Sequence, residues 1–310
     1  NEDISGNFSG VGMEVGMRDN VLTIIAPLSG TPAEKAGLLA GDKLIAINGS
    51  STEGMGVDEA VRHIRGEEGT VVTLSIFRAG MTEPKEYQVT RAQIEVPTVK
   101  TEKRGDTFII SLYSFNALAE MKMQQALRDY VSSGATKLVL DLRGNPGGYL
   151  QGAVSIASYF MPAGKVVLRE SFGDEREEEV YRSRGATLKQ FAPKEMAVLI
   201  DGGSASASEI LAGALQEQGY ATLVGASSFG KGSVQELVNL PSGSSLKVTI
   251  ARWLTPNGRS ISNGGLTPDI VVERTVADRE ASRDPQLDAA IEVLHGTYVA
   301  PVSTSTPQSE

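Results

Sequence analysis

A chain of 310 residues, 40% hydrophobic and 22% charged, has material for two globular domains, each with its own core. Its formal net charge of −9 offers no basic face for nucleic acid, and the absence of cysteine removes thiol catalysis, disulfides and thiolate metal sites together. No run approaches the roughly eighteen uncharged apolar residues of a membrane span, and the chain opens at Asn1 without Met or a signal-like segment, as a mature or trimmed form would.

Histidine narrows the chemistry further, because the chain has only two, His63 and His295. Neither lies in an HxxxH or HExxH pattern, so both read as structural or surface groups, and no metal site is expected. A serine nucleophile here would need another base.

In chain order, residues 1–8 are polar and expected to be loose. SGVGMEVG (Ser9 to Gly16) is a glycine-rich loop entering a strand, and Gly10 and Gly12 would free backbone N–H groups for a carboxylate. VLTIIAPLSG reads as strand and turn, and TPAEKAGLLAGDKLIAING as short helix, glycine turn and strand. Asn48-Gly49 is a hairpin signal. A helix from Asp58 to Arg65, a strand from Thr70 to Arg78 and a strand near Glu86 to Arg91 complete the unit. The order, and PAEKAGLLAGDKLIAING in particular, resembles the PDZ domain in its bacterial, circularly permuted form. The resemblance spans about Phe8 to Ala92 and puts the domain at residues 9–92. It implies a groove between the Met13 strand and the Asp58 helix, with Gly10, Val11, Gly12 and Met13 receiving the carboxylate of a peptide's terminus.

QIEVPTVKTEK, broken by Pro97, is read as a linker over residues 93–104, and residues 105–296 as the second domain. A strand at Thr107 to Phe115 and a helix at Ala117 to Ser132 lead to KLVLDL (Lys137 to Leu142), an apolar run suited to a strand buried on both faces. It enters the turn Arg143 to Gly148, and a helix follows from Leu150 to Phe160. GDEREEEVYRSRG, from Gly173 to Gly185, reads as a solvated loop or hairpin. Ser245 to Trp253 is a strand, Trp253 a core or cleft-wall residue, and Asp284 to Leu294 a helix begun by an Asp-Pro cap. Residues 297–310, rich in Ser, Thr and Pro, are expected to be disordered.

The stretch with most chemistry is Asp201 to Gln235. Met196 to Ile200 forms a buried strand, Gly202-Gly203 a turn, and Glu209 to Gln216 a helix, so Ser204, Ser206 and Ser208 lie at a sheet's carboxyl edge beside a helix start. Such an edge suits a developing oxyanion. Serine needs a neighbouring base, which a lysine can supply. Lys231 stands in glycine-lined, apolar company, Phe229-Gly230-Lys231-Gly232. By local spacing alone the three serines are equivalent and Lys231 is an ordinary loop lysine. Glu209 reads as a favourable charge in a first helical turn.

DLRGNPGG, GGSASASEILAGALQ, VGASSFGKGSVQ and TPNGRSI…GLTPDI together resemble the carboxyl-terminal processing (tail-specific) serine proteases, which also carry a PDZ module ahead of these motifs. The resemblance implies a multidomain α/β and α+β chain, a permuted PDZ domain joined to a crotonase/ClpP-like α/β protease core. It implies Ser206 as nucleophile, Lys231 as base and Gln235 as the group orienting the lysine. The oxyanion donors it implies are the N–H groups of Ala207 and Gly147, with Gly148 an equal choice for the second. No cofactor is implied. Substrates would be proteins or peptides with apolar carboxyl-terminal tails, and the location extracytoplasmic: periplasm, cell envelope or thylakoid lumen. The family's usual helical segment ahead of the PDZ domain is not in this sequence, which leaves homo-oligomerisation or control by an adaptor open. Two rivals stand beside this reading. One is a catalytically inactive PDZ-type peptide-binding scaffold. The other is a phosphate site at Gly230-Lys231-Gly232-Ser233, which lacks the GxxxxGK[ST] spacing.

Overall fold

The computed structural model describes residues 7–28, 30–95, 98–173, 176–185, 195–239, 245–262, 264–275, 277, 278, 281 and 283–300. The N-terminal unit comprises β1 (Asn7–Gly10), β2 (Met13–Arg18), β3 (Val21–Pro27), α1 (Pro32–Lys35), β4 (Lys43–Ile47), β5 (Ser50–Ser51), α2 (Val57–Ile64), β6 (Val71–Phe77), β7 (Lys85–Thr90) and β8 (Ala92–Glu95). Its main sheet runs β2-β3-β4-β6-β7, with β5 paired to β4. Alternation decides which face is inside. Val72, Leu74 and Ile76 of β6 are fully buried, and Ala60 and Ile64 of α2 join them in one core. The Asn48-Gly49 signal is realised as a β4–β5 hairpin, with both residues at positive φ (50° and 81°) as a type I′ turn requires.

The second unit comprises β9 (Val99–Arg104), β10 (Thr107–Leu112), α3 (Ala119–Ser132), β11 (Lys137–Asp141), α4 (Leu150–Phe160), β12 (Val166–Ser171), β13 (Glu179–Arg182), β14 (Glu195–Ile200), α5 (Ala207–Glu217), β15 (Thr222–Gly225), β16 (Ser233–Asn239), β17 (Ser245–Leu254), β18 (Ile270–Val271) and α6 (Pro285–His295). Its main sheet runs β18-β15-β14-β11-β10-β9, parallel except for the β9 edge. Period-two alternation splits the apolar runs between two cores. Ile110, Leu138, Leu140, Val198 and Ile200 face α3, α4 and α5, while Ile109, Val139, Ala197, Leu199 and Val224 face α6. That is why KLVLDL and MAVLI read as continuous hydrophobic runs. A four-stranded sheet, β13-β12-β17-β16, packs beside this layer, and Trp253 of β17 is buried in the larger core.

The stretch assigned to a linker is different. Ala92–Glu95 is β8, paired with β1, and Val99–Arg104 is β9, paired residue for residue with β10. An extended, Pro-interrupted sequence looks alike in a linker and in an edge strand, because the difference lies in its partner. The pairing of β1 with β8 also draws residues 7 and 8 out of the segment expected to be loose. The charged patch supplies β13, which pairs antiparallel with β12. In α6, Asp284 Oδ1 accepts from Leu287 N at 3.1 Å, Pro285 opens the helix, and Gly296 closes it at φ 68°. Of the expected tail, residues 301–310 lie outside the described residues.

Candidate active site

β11, β14 and β15 are adjacent parallel strands, so the turns leaving their carboxyl ends converge. The β14 turn carries the serines and is stitched to the β11 turn by buried hydrogen bonds. Ser204 Oγ donates to Leu142 O at 2.8 Å, Ser208 Oγ to Asn145 O at 2.9 Å, and Ala205 N to Asn145 O at 3.0 Å. Asp201 Oδ1 accepts from Gly144 N and Gly203 N, each at 2.9 Å. Ser204 and Ser208 are therefore fully buried structural hydroxyls. Ser206, between them, is partly exposed.

Ser206 pays for that position in backbone strain. It sits at φ 55°, ψ −116°, a region that non-glycine residues avoid, at a cost of about 1–3 kcal/mol. A serine held this way on a sharp strand-to-helix turn is the geometry of a nucleophile elbow. The adjoining glycine turn presses against it: a Cβ on Gly147 would lie 2.7 Å from Ala205 O, 2.8 Å from Ser206 Cβ and 2.9 Å from Ala207 N. Ala207, at the first position of α5, has no partner within its helix for its N–H. Gly147 N donates to Asn145 Oδ1 at 2.9 Å, whereas Gly148 N makes no hydrogen bond among the described residues.

The third turn brings Lys231. Phe229 N donates to Ser204 O at 3.0 Å, joining the lysine loop to the serine turn. Glu209 joins them again. This carboxylate is fully buried and accepts from Ser206 N (2.8 Å), Lys231 N (3.0 Å), Gly230 N (2.7 Å) and Ser228 Oγ (2.5 Å). Burial pushes its carboxyl above the usual carboxylate range, against the pull of those four donors. Sequence reasoning took Glu209 for a favourable charge in a first helical turn and no more. Its Ser-x-x-Glu spacing marks a capping box, a signal for the Ser206 N bond but not for the other three.

The Lys231 side chain reaches the N-terminal unit, where Nζ lies 3.0 Å from Glu14 Oε1 on β2. Among the described residues no hydrogen bond joins Lys231 Nζ to Ser206 Oγ. The β2–β3 hairpin packs over these loops more broadly. Ile25 is buried with Ala205 and Phe229, and the Arg18 guanidinium carbon stands 5.5 Å from the Phe229 ring centroid. Gln235 falls in β16 opposite Thr249, and its side chain lies outside the described residues.

In the N-terminal loop, Val11 O accepts from Ala33 N (2.8 Å), and Gly12 O accepts from Leu28 N (2.9 Å) and Thr31 Oγ1 (2.8 Å). The N–H groups of Val11 and Gly12, by contrast, have no partner among the described residues. Gly10 ends β1, and Met13 begins β2, whose outer edge is unpaired in the sheet and faces α2. His63 is exposed on α2, and His295 pairs with Asp106 at 3.1 Å, far along the chain from these loops.

A strained serine elbow, a glycine turn against it and a lysine loop stand together at the carboxyl edge of a parallel sheet, with a small β-rich domain docked over them. A profile of peptidase family S41 matches residues 106–272, and one of the PDZ domain matches residues 23–78. The chain belongs to peptidase family S41 and carries a PDZ domain. It is 40% identical to a carboxy-terminal-processing protease of Bartonella bacilliformis over 92% of this chain and 66% of that protein. To a probable CtpA-like serine protease of Staphylococcus aureus it is 36% identical over 88% of this chain and 54% of the relative. The solved structure of a photosystem II D1 C-terminal processing protease superposes with a TM-score of 0.81 at 28% identity, over 93% of this chain and 77% of that one. The chain thus spans between about half and two thirds of the length of these two curated relatives. Among the described residues no helix is long and apolar enough to cross a membrane.

Proposed function

We propose that this chain is a serine endopeptidase that cleaves near the carboxyl terminus of protein substrates. The observation that carries the reading is the contrast among the three serines: Ser204 and Ser208 spend their hydroxyls on buried carbonyls, and Ser206 alone is offered, strained, beside the lysine loop. Ser206 Oγ attacks the scissile carbonyl while neutral Lys231 takes its proton; the lysine gives that proton to the leaving amine as the peptide C–N bond breaks, and water, deprotonated by the neutral lysine, then hydrolyses the acyl-enzyme. Gln235 orients the lysine amine. Ala207 N–H and an N–H of the Gly147-Gly148 turn hold the oxyanion; Gly147 must release Asn145 Oδ1 to serve, whereas Gly148 need not.

The PDZ domain selects the tail. A peptide with an apolar carboxyl terminus adds to the free edge of β2, its carboxylate at the Gly10, Val11, Gly12 and Met13 loop, where the N–H groups of Val11 and Gly12 are unspent. Because Glu14 lies on that strand and pairs with Lys231, the present geometry is a resting arrangement, and the lysine must leave Glu14 to act. The finer fold reading is a permuted PDZ domain, supported by β1 and β8 closing its two ends together, and a crotonase/ClpP-like core, supported by the parallel sheet with helices on both faces. An extracytoplasmic location and assembly as a homo-oligomer or under an adaptor complete the reading by likeness to the family.

The test is cleavage of a protein substrate with an apolar tail by the parent chain and by Ser206→Ala and Lys231→Ala. Both variants lose cleavage while keeping their fold; cleavage retained by either refutes the dyad. Parent protein that binds the tail and returns it whole favours the binding-scaffold reading.

A further inference from the structure

We infer that Glu209 is the positioning residue of this site: its carboxylate sets the Lys231 loop against the Ser206 elbow, and the dyad's geometry depends on that charge. The inference rests on the Ser206–Lys231 reading and deepens it.

Burying an ionised carboxylate is costly unless hydrogen bonds replace its water. Glu209 is fully buried, and no cation is among its hydrogen-bond partners; four N–H and O–H donors compensate it instead. Helix capping explains one of the four, from Ser206 N. The other three come from residues 228–231, the segment that delivers the lysine. Oε2 is shared between Ser206 N and Lys231 N, which places these two backbone nitrogens within about 6 Å of each other. Oε1 holds Gly230 N and Ser228 Oγ, and that hydroxyl in turn accepts from Leu266 N at 2.7 Å. One side chain thus fixes the nucleophile's turn, the base's turn and the 264–266 loop in a single network. The loop has no slack around it, since a Cβ on Gly232 would lie 2.5 Å from Ser262 N and one on Gly265 2.4 Å from Ser228 O.

Glutamine has the same shape but a single acceptor oxygen, and its NH2 group would face N–H donors in place of the second. Glu209→Gln therefore keeps either the Ser206 N and Lys231 N pair or the Gly230 N and Ser228 Oγ pair, and in both cases donors of the 228–231 segment lose their acceptor. Aspartate keeps both oxygens but withdraws them by one methylene.

The experiment compares the parent, Glu209→Gln and Glu209→Asp. Folded active sites are counted by end-point labelling of Ser206 with a fluorophosphonate, with Ser206→Ala as the blank, and kcat and KM are measured per labelled serine. Glu209→Gln lowers kcat by about a hundredfold, the scale expected of a small misplacement of reacting groups, with KM little changed, and Glu209→Asp recovers part of the loss. A stability role alone would lower the number of labelled sites and leave kcat per site at the parent value, and that result overturns the inference. Amide exchange is read in parallel and needs no turnover: peptides covering residues 226–232 exchange faster in Glu209→Gln, while those from β14 do not. Unchanged exchange there overturns the inference even if the chain proves inactive. A parent chain that neither labels nor cleaves while exchange still accelerates confirms the clamp and defeats the peptidase reading, so the two failures stay distinct.

Discussion

Replacing Glu14 with glutamine removes the carboxylate that holds Lys231 Nζ at 3.0 Å and keeps the length of the side chain on β2. The two side chains are 30% and 41% exposed, so the pair is weak; ion pairs open to solvent contribute about 0.2–1 kcal/mol. If that energy alone divides Lys231 between Glu14 and Ser206, losing the pair raises the competent fraction by at most about fivefold. The assay is hydrolysis of a fluorogenic peptide too short to reach the PDZ groove, so that only the resting arrangement is sampled. At low salt Glu14→Gln is faster than the parent by about 1.4- to fivefold, and the gap closes as salt screens the pair in the parent. In a Lys231→Ala background the same change gives nothing. A Glu14→Gln variant that folds normally but cleaves no faster at low salt would show that the ion pair does not restrain the base.

Three further outcomes follow from the packing. Gly147→Ala puts a Cβ 2.7 Å from Ala205 O at a residue with φ 101°, so it should lose about 1–3 kcal/mol in a denaturant titration and most of its cleavage activity. Ser204→Ala leaves Asp201 N without its acceptor and Leu142 O with only the longer bond from Asn145 N, and should cost about 1–3 kcal/mol, yet Ser206 should still be labelled by a fluorophosphonate. Ser206→Gly should do the opposite, abolishing labelling while relief of the strain at φ 55° raises the unfolding midpoint. Burial alone would raise the Asp284 carboxyl, but hydrogen bonds and charge from the Arg143 guanidinium outweigh it and hold it below the usual range. A lowered carboxylate contributes stability above its unfolded value, about 3.9, and loses it as pH falls through the folded one. In acid titrations followed by circular dichroism, parent stability should therefore fall as pH drops from about 5 through 3.9 toward the lowered folded value, while Asp284→Asn should start less stable at neutral pH and change less across that window.

Much of the architecture was legible in local patterns. Period-two alternation and short apolar runs gave β6, β11 and β14, the Asp284-Pro285 pair gave the start of α6, and Asn48-Gly49 gave a type I′ hairpin, because each is decided by bonds within a few residues. Residues 93–104 misled for the converse reason: a strand is defined by its neighbour, and β8 and β9 find theirs in β1 and β10.

The site divides the same way. The run of small residues between a buried strand and a helix marks the elbow in the sequence itself, and the family's motifs single out Ser206 and Lys231 within it. Why Ser206 differs from Ser204 and Ser208 was decided only by the β11 turn, whose carbonyls consume the other two hydroxyls. Glu209's four donors come from turns at two strand ends, and Glu14 meets Lys231 across 217 positions of chain and a domain boundary. Sequence determines which residues can cap, turn and alternate, since those interactions are local. Which carboxylate holds which lysine depends on where parallel strands end and how one domain docks on another, and that is settled only when the chain has packed.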